Sequence, residues 1–135
     1  MNEQKLGAHG AFVLRLTLGV VLLAHAALKV FVFTVPGTVG FFASLGLPAI
    51  AAYLTIFGEL FGGLALLVGF RTRLVALATL PILLGATWAH SGKGWSFSAP
   101  GGGWEYPLFL VLAAVVVALL GAGSFSWDQA RSKTA

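Results

Sequence analysis

Three ionisable residues interrupt otherwise apolar stretches of this chain, and they are the residues best suited to chemistry. His25 and Lys29 are four positions apart, so a helix would place them on one face. Glu59 lies in a second apolar stretch beside Gly58 and Gly62, whose spacing lets neighbouring helices approach closely, so we predict that Glu59 faces protein and not lipid. A histidine beside a carboxylate can exchange protons near neutral pH, and the reduction of a quinone consumes protons together with electrons. These residue types therefore indicate proton handling or quinone binding.

The same residues also have a purely structural interpretation. Unpaired charge inside a membrane is costly, so Lys29 and Glu59 would neutralise each other and His25 would donate a hydrogen bond. Considered from the residues alone, this structural interpretation is slightly favoured over proton chemistry.

A second polar group lies at the ends of two further apolar stretches and comprises His90, Trp104, Glu105 and Tyr106. A histidine ending one helix and a glutamate opening the next both suit the helix dipole. His25, Glu59, His90 and Glu105 together have the residue types of a two-histidine, two-carboxylate metal site. The rise of a helix, however, separates the two pairs in depth by about 10 Å. We therefore predict no metal site.

Four apolar stretches must position these residues. The chain is 59% hydrophobic and 9% charged, whereas a soluble domain is about a quarter charged. A helix needs about 20 apolar residues to cross a bilayer. We predict an all-α fold: one integral membrane domain, residues 1–135, with four transmembrane helices over about 11–34, 49–70, 73–90 and 105–121. Pro36-Gly37 is a turn signal, and the segment that follows it is too short to cross, so it is predicted to be an interfacial helix between spans one and two.

Charge and cysteine content narrow the function further. The formal net charge is +4, but the basic residues are scattered over the helix ends, so we predict no nucleic-acid partner. If the four spans alternate, one side carries Lys5, Arg71, Arg73, Arg131 and Lys133, and the other carries Lys93. The positive-inside rule then makes both termini cytoplasmic. Arg15, near the inner end of span one, is predicted to extend to the headgroups. Cysteine is absent, which excludes thiolate chemistry, and we predict no covalently bound cofactor.

Six short motifs occur in an order and spacing that resemble a known family. They are LAHAALKVF at 23–31, FASLGLP at 42–48, GELFGG at 58–63, GFRTRL at 69–74, GGWEYP at 102–107 and GAGSFSWD at 121–128. Together they resemble the DoxX family over nearly the whole chain, from about Ala11 to Asp128. The resemblance implies a four-helix protein of the bacterial or archaeal cytoplasmic (inner) membrane, from an oxidoreductase-linked group. Its relatives include the small subunit of a thiosulfate:quinone oxidoreductase.

The resemblance also suggests which residues would form a site. The polar positions of the family correspond to His25, Lys29, Glu59, His90, Glu105 and Tyr106. One departure is Ala26, where many members have glycine, and its methyl group would narrow a cavity there. We predict a quinone-associated oxidoreductase subunit. Its quinone pocket would be lined by His25, Lys29 and Glu59 and covered on one side by His90, Trp104, Glu105 and Tyr106. Its electrons would come from a partner protein.

The alternative function is a non-catalytic membrane anchor or assembly partner of a redox enzyme, with a purely structural polar network. Fold and family do not decide between the two functions. In addition to the lipid bilayer, we expect the chain to contact a redox partner protein or further copies of itself. A transporter is less well supported, because four short helices could form one only as an oligomer.

Overall fold

Helices are the only regular elements in residues 1–134, the part of the chain that the computed structural model describes. This confirms the predicted all-α fold. The elements are α1 (Glu3–Ala27), which continues into a π-helical turn (Leu28–Val32), then α2 (Val35–Ser44), α3 (Ala49–Val68), α4 (Thr72–His90), α5 (Glu105–Leu120) and α6 (Trp127–Ser132).

Three of the helices are long and apolar enough to cross a membrane, namely Glu3–Val32, Ala49–Val68 and Thr72–Lys93. The fourth apolar helix, α5, has 16 residues. At the rise of an α-helix it is about 24 Å long, slightly less than the hydrocarbon thickness of about 30 Å. Together these helices make the chain a multi-pass membrane protein.

The four apolar helices pack in a closed ring. Helix α1 contacts α3 and α5, and α4 contacts the same two helices from the other side. The centre of the ring is filled by apolar side chains such as Leu18, Leu22, Leu66 and Val117, each of them about 1% exposed or less. Large apolar side chains also cover the outside of the ring, as expected for a surface that faces lipid.

Glycines set the spacing on both sides of α3. Where α1 meets α3, a Cβ on Gly63 would lie 2.9 Å from the Gly19 carbonyl oxygen and 2.8 Å from the Leu23 side chain, so a larger residue would require these atoms to shift. On the other side, a Cβ on Gly62 would lie 3.3 Å from Thr79 of α4. The Gly58–Gly62 stripe therefore faces α4, and the adjacent Glu59 is buried. This agrees with the prediction that Glu59 faces protein.

One helix extends beyond a predicted membrane span, and one helix start differs from the prediction. Helix α1 begins at Glu3, well before residue 11, and the Asn2 side chain caps it by accepting a hydrogen bond from the Lys5 N–H at 3.0 Å. The interpretation of Pro36-Gly37 as a turn is also wrong, because α2 already begins at Val35. Proline is well tolerated in a first helical turn, where its missing N–H has no partner to lose.

Candidate functional site

An ion pair joins the π-helical turn that follows α1 to α3, in the half of the bundle where α1 ends. Lys29 Nζ lies 2.8 Å from Glu59 Oε1, and the two side chains are 17% and 6% exposed. The predicted pairing of Glu59 is therefore confirmed. The second carboxylate oxygen, Oε2, is buried and has no hydrogen-bond partner within the described residues. A buried anionic oxygen without a donor is costly, so this atom is an open acceptor beside a cation.

Lys29 owes its position to the π-helical turn. A hydrogen bond of 2.8 Å from the Phe33 N–H to the Leu28 carbonyl closes the turn. This bond spans one residue more than the hydrogen bonds of an α-helix do. Thr38 of α2 is buried, and its hydroxyl lies 3.0 Å from the Lys29 carbonyl oxygen and 2.8 Å from that of Thr34. Helix α2 thus stabilises the wide turn from which the lysine side chain extends.

His25 faces a different helix from Lys29. Its Nδ1 is 2.8 Å from the Val21 carbonyl oxygen. Because a carbonyl only accepts, Nδ1 carries the proton, and in the neutral ring Nε2 offers a lone pair. The ring stacks on Tyr106 of α5, with the centroids 6.1 Å apart and the planes inclined by 29°. His25 and Lys29 therefore contact the two different neighbours of α1.

An open cleft of about 540 Å³ lies next to this stack at the start of α5. It is lined by Phe97, Glu105, Tyr106 and Phe109. Glu105 Oε1 accepts a hydrogen bond from the Phe97 N–H at 3.0 Å, so the carboxylate fixes the loop that forms one wall. Tyr106 belongs both to the cleft and to the stack, so it connects the cleft to His25.

The remaining predicted site residues contact the loop between α4 and α5. His90 Nδ1 is 2.8 Å from the Ala86 carbonyl oxygen of its own helix, and its ring lies against Gly102. The main-chain N–H of Trp104 donates to the Gly94 carbonyl at 3.1 Å. Neither side chain forms a hydrogen bond with the ion pair in the described part of the chain. Residues 1–134 also contain no group of three histidine, cysteine or carboxylate side chains placed to hold a metal ion.

Arg15 is the centre of a polar cluster that the sequence did not predict. Contrary to the prediction, its side chain does not extend to the headgroups. Its side chain is fully buried. Its guanidinium donates to the carbonyls of Leu66, Leu67, Ala122, Ser124 and Phe125, at the end of α3 and in the loop after α5. That loop crosses α1 closely, with the Ser124 N–H donating to the Ala8 carbonyl at 3.0 Å. The prediction was wrong because the loop covers the arginine.

The role of Asp128 as a helix cap was also not predicted. Its carboxylate caps α4 by accepting from the N–H groups of Arg71 at 2.8 Å and Thr72 at 2.9 Å. A signal was present in the sequence, since the Gly121–Asp128 motif combines glycines for close approach with an acidic residue suited to a helix start.

Comparisons with known proteins agree with this architecture. The model of the DoxX family matches residues 10–92, a range that contains His25, Lys29, Glu59 and His90. The curated protein "Putative oxidoreductase CatD" of Bacillus subtilis (strain 168) is 32% identical over 120 residues, which cover 88% of this chain and 84% of that protein. No solved structure matches the chain.

Proposed function

This chain belongs to the DoxX family, and from that premise we propose that it is a redox-linked membrane subunit that binds a quinone beside Lys29 and Glu59. The observation that carries the proposal is the buried Glu59 Oε2, an acceptor without a donor next to a lysine ammonium. The name of the relative adds support, because it places that protein among oxidoreductases.

The ion pair offers the hydrogen bonds that both forms of a quinone need. The Lys29 ammonium has three N–H donors, and Glu59 Oε1 uses one of them, so another can reach a quinone oxygen. After reduction the ligand carries hydroxyl groups, and Glu59 Oε2 can accept from one of these. The cleft beside Tyr106, whose ring stacks on His25, would hold the aromatic ring of the ligand.

His25 and Tyr106 provide a route for protons and a surface for stacking. Nε2 of His25, which carries no proton in this tautomer, can accept a proton and pass it on. Phe97 and Phe109 are 70% and 64% exposed, so the cleft beside Tyr106 is open to an apolar ligand that arrives from the bilayer. Quinones with long apolar tails are ligands of this kind.

The electrons must come from elsewhere. The 135 residues contain no cysteine, and their sequence has no evident flavin or nicotinamide motif, so we assign the electron donor to a redox partner protein. On this proposal the subunit holds the quinone in the membrane and supplies its protons.

Binding of a quinone analogue to the purified protein in lipid nanodiscs tests the proposal. We expect Glu59→Gln to weaken binding about tenfold or more, because hydrogen bonds to a charged group contribute about 1.5–3 kcal/mol. His25→Ala should also weaken binding. His9→Ala is the matched control, since His9 makes the same bond to its own helix, Nδ1 to the Lys5 carbonyl, at the opposite end of α1.

Two results would reject the quinone proposal. One is a wild-type protein that binds no quinone analogue. The other is unchanged affinity in Glu59→Gln and His25→Ala variants that are shown to be folded. The non-catalytic anchor or assembly partner would then be the better description, because it needs the polar network only for helix packing.

We also propose that both termini lie in the cytoplasm of a bacterial or archaeal cell, since the basic residues concentrate on that side. The absence of cysteine allows single-cysteine labelling on a clean background. Cysteines placed at Ser44 or Ser98 should react with an impermeant thiol reagent added outside intact cells, whereas one at Ser132 should react only after lysis. The reverse pattern would invert the topology.

A further inference from the structure

A second cleft, of about 370 Å³, lies at the opposite end of α5 from the proposed quinone site. It is formed where α4 begins at Thr72 and α5 ends at Leu120. None of the residues proposed to bind quinone lines it, so its chemistry must be explained separately.

Two arginine side chains line this cleft with donors to spare. Arg71 is exposed, and its guanidinium packs 5.8 Å from the Phe70 ring centre and forms no ion pair within residues 1–134. Arg73 uses Nη1 to donate to the Ala118 and Leu119 carbonyls, at 2.8 and 2.7 Å. The other edge of its guanidinium, formed by Nε and Nη2, lies close to Gly121. A Cβ atom on Gly121 would be 3.2 Å from Nε and 3.1 Å from Nη2. That edge has the geometry that binds two oxygens of a phosphate.

The start of α4 supplies an independent indication of an oxyanion. Its main-chain N–H groups already hold the Asp128 carboxylate, so they are not free. Thr72, however, is 1% exposed, and its Oγ1 has no hydrogen-bond partner in the described part of the chain. A buried hydroxyl is rarely left without a partner, so an unmet donor at the wall of this cleft points to a ligand oxygen.

The apolar lining of the cleft indicates where that oxygen comes from. Leu74 and Leu120 belong to the same cleft and are 58% and 52% exposed. A soluble phosphate would gain nothing from these leucines, whereas a lipid would place its headgroup on the arginines and the start of its acyl chains on the leucines. We propose that this cleft binds the headgroup phosphate of an anionic phospholipid.

Native mass spectrometry of the full chain in detergent tests the lipid site, with phosphatidylglycerol and phosphatidylcholine titrated separately. Wild type should bind phosphatidylglycerol more tightly. We expect Arg71→Gln to weaken that binding about fivefold, the effect of one basic residue near an anionic headgroup. Arg131→Gln is the matched control, because it removes the same charge from the exposed surface of α6, outside the cleft.

Equal affinity for the two lipids, or equal losses in Arg71→Gln and Arg131→Gln, would overturn the proposal. If Arg71→Gln does not fold, Thr72→Val replaces it, since this change removes a hydroxyl without a protein partner and keeps the shape of the side chain. Its phosphatidylglycerol affinity should fall while its thermal stability in detergent does not, and an unchanged affinity would overturn the proposal. Displacement of the lipid by millimolar inorganic phosphate would reassign the cleft to free phosphate.

Discussion

Replacing Arg15 with methionine is expected to lower the free energy of unfolding in detergent micelles by about 3–5 kcal/mol, because several hydrogen bonds to a charged group, each worth about 1.5–3 kcal/mol, are lost together. Methionine fills much of the volume but donates no hydrogen bond. Five main-chain carbonyls from two parts of the chain would then lose their shared donor. A buried acceptor left unsatisfied costs about 1–3 kcal/mol. Chemical denaturation followed by tryptophan fluorescence would measure the change.

Two further variants separate shape from charge. Arg15→Lys keeps the charge, but its single ammonium has three N–H donors in place of the five in the guanidinium fork, so it should recover only part of the loss. Arg71→Met removes an arginine that is exposed, and it should change the stability by no more than about 0.5 kcal/mol. Equal stability of wild type and Arg15→Met would show that the carbonyls find other donors.

Separating Lys29 from Glu59 is expected to produce the second large effect. Glu59→Ala leaves the lysine as a lone charge within the membrane, at a cost on the order of 3 kcal/mol, and Lys29→Ala does the same to the glutamate. The double variant removes both orphan charges. Its loss in unfolding free energy should therefore be smaller than the sum of the two single losses by about 1 kcal/mol or more.

A second pair of variants provides the control for this double-mutant cycle. Glu105 accepts a hydrogen bond from the Phe97 N–H in the loop between α4 and α5 and forms no salt bridge with Lys29. The losses caused by Glu105→Ala and Lys29→Ala should therefore add within about 0.5 kcal/mol. Additive losses in the Lys29–Glu59 cycle as well would mean that the two charges are not energetically coupled, despite their 2.8 Å separation.

The parts of the structure that depend on local pattern were predictable from the sequence. The four apolar stretches predicted the helices, and the position of Glu59 next to the Gly58–Gly62 stripe predicted that it faces protein. Its pairing with Lys29 was predictable because an unpaired charge inside a membrane is costly, and the two charges lie 2.8 Å apart.

The parts that depend on long-range packing were not predictable. The burial of Arg15 requires a loop more than a hundred positions away to cross α1, and no local pattern encodes that crossing. The π-helical turn at Leu28–Val32 is maintained by contacts with α2, so helical periodicity gave no sign of it. Likewise, the stacking of His25 on Tyr106 depends on which helix closes the ring beside α1.

The ring arrangement has a consequence for the order in which the protein assembles. Of the four contacts in the ring, three join helices that follow one another along the chain: α1 with α3, α3 with α4, and α4 with α5. These contacts can form as each hairpin enters the bilayer. The fourth, between α1 and α5, joins the beginning of the chain to its end and must wait for the last helix. The His25–Tyr106 stack lies in this final seam, and the loop after α5 completes the arginine cluster that begins at the end of α3. Lys29 and Glu59, in contrast, meet in the first hairpin. The ion pair is thus available early in synthesis, and the complete proposed site exists only once synthesis has finished.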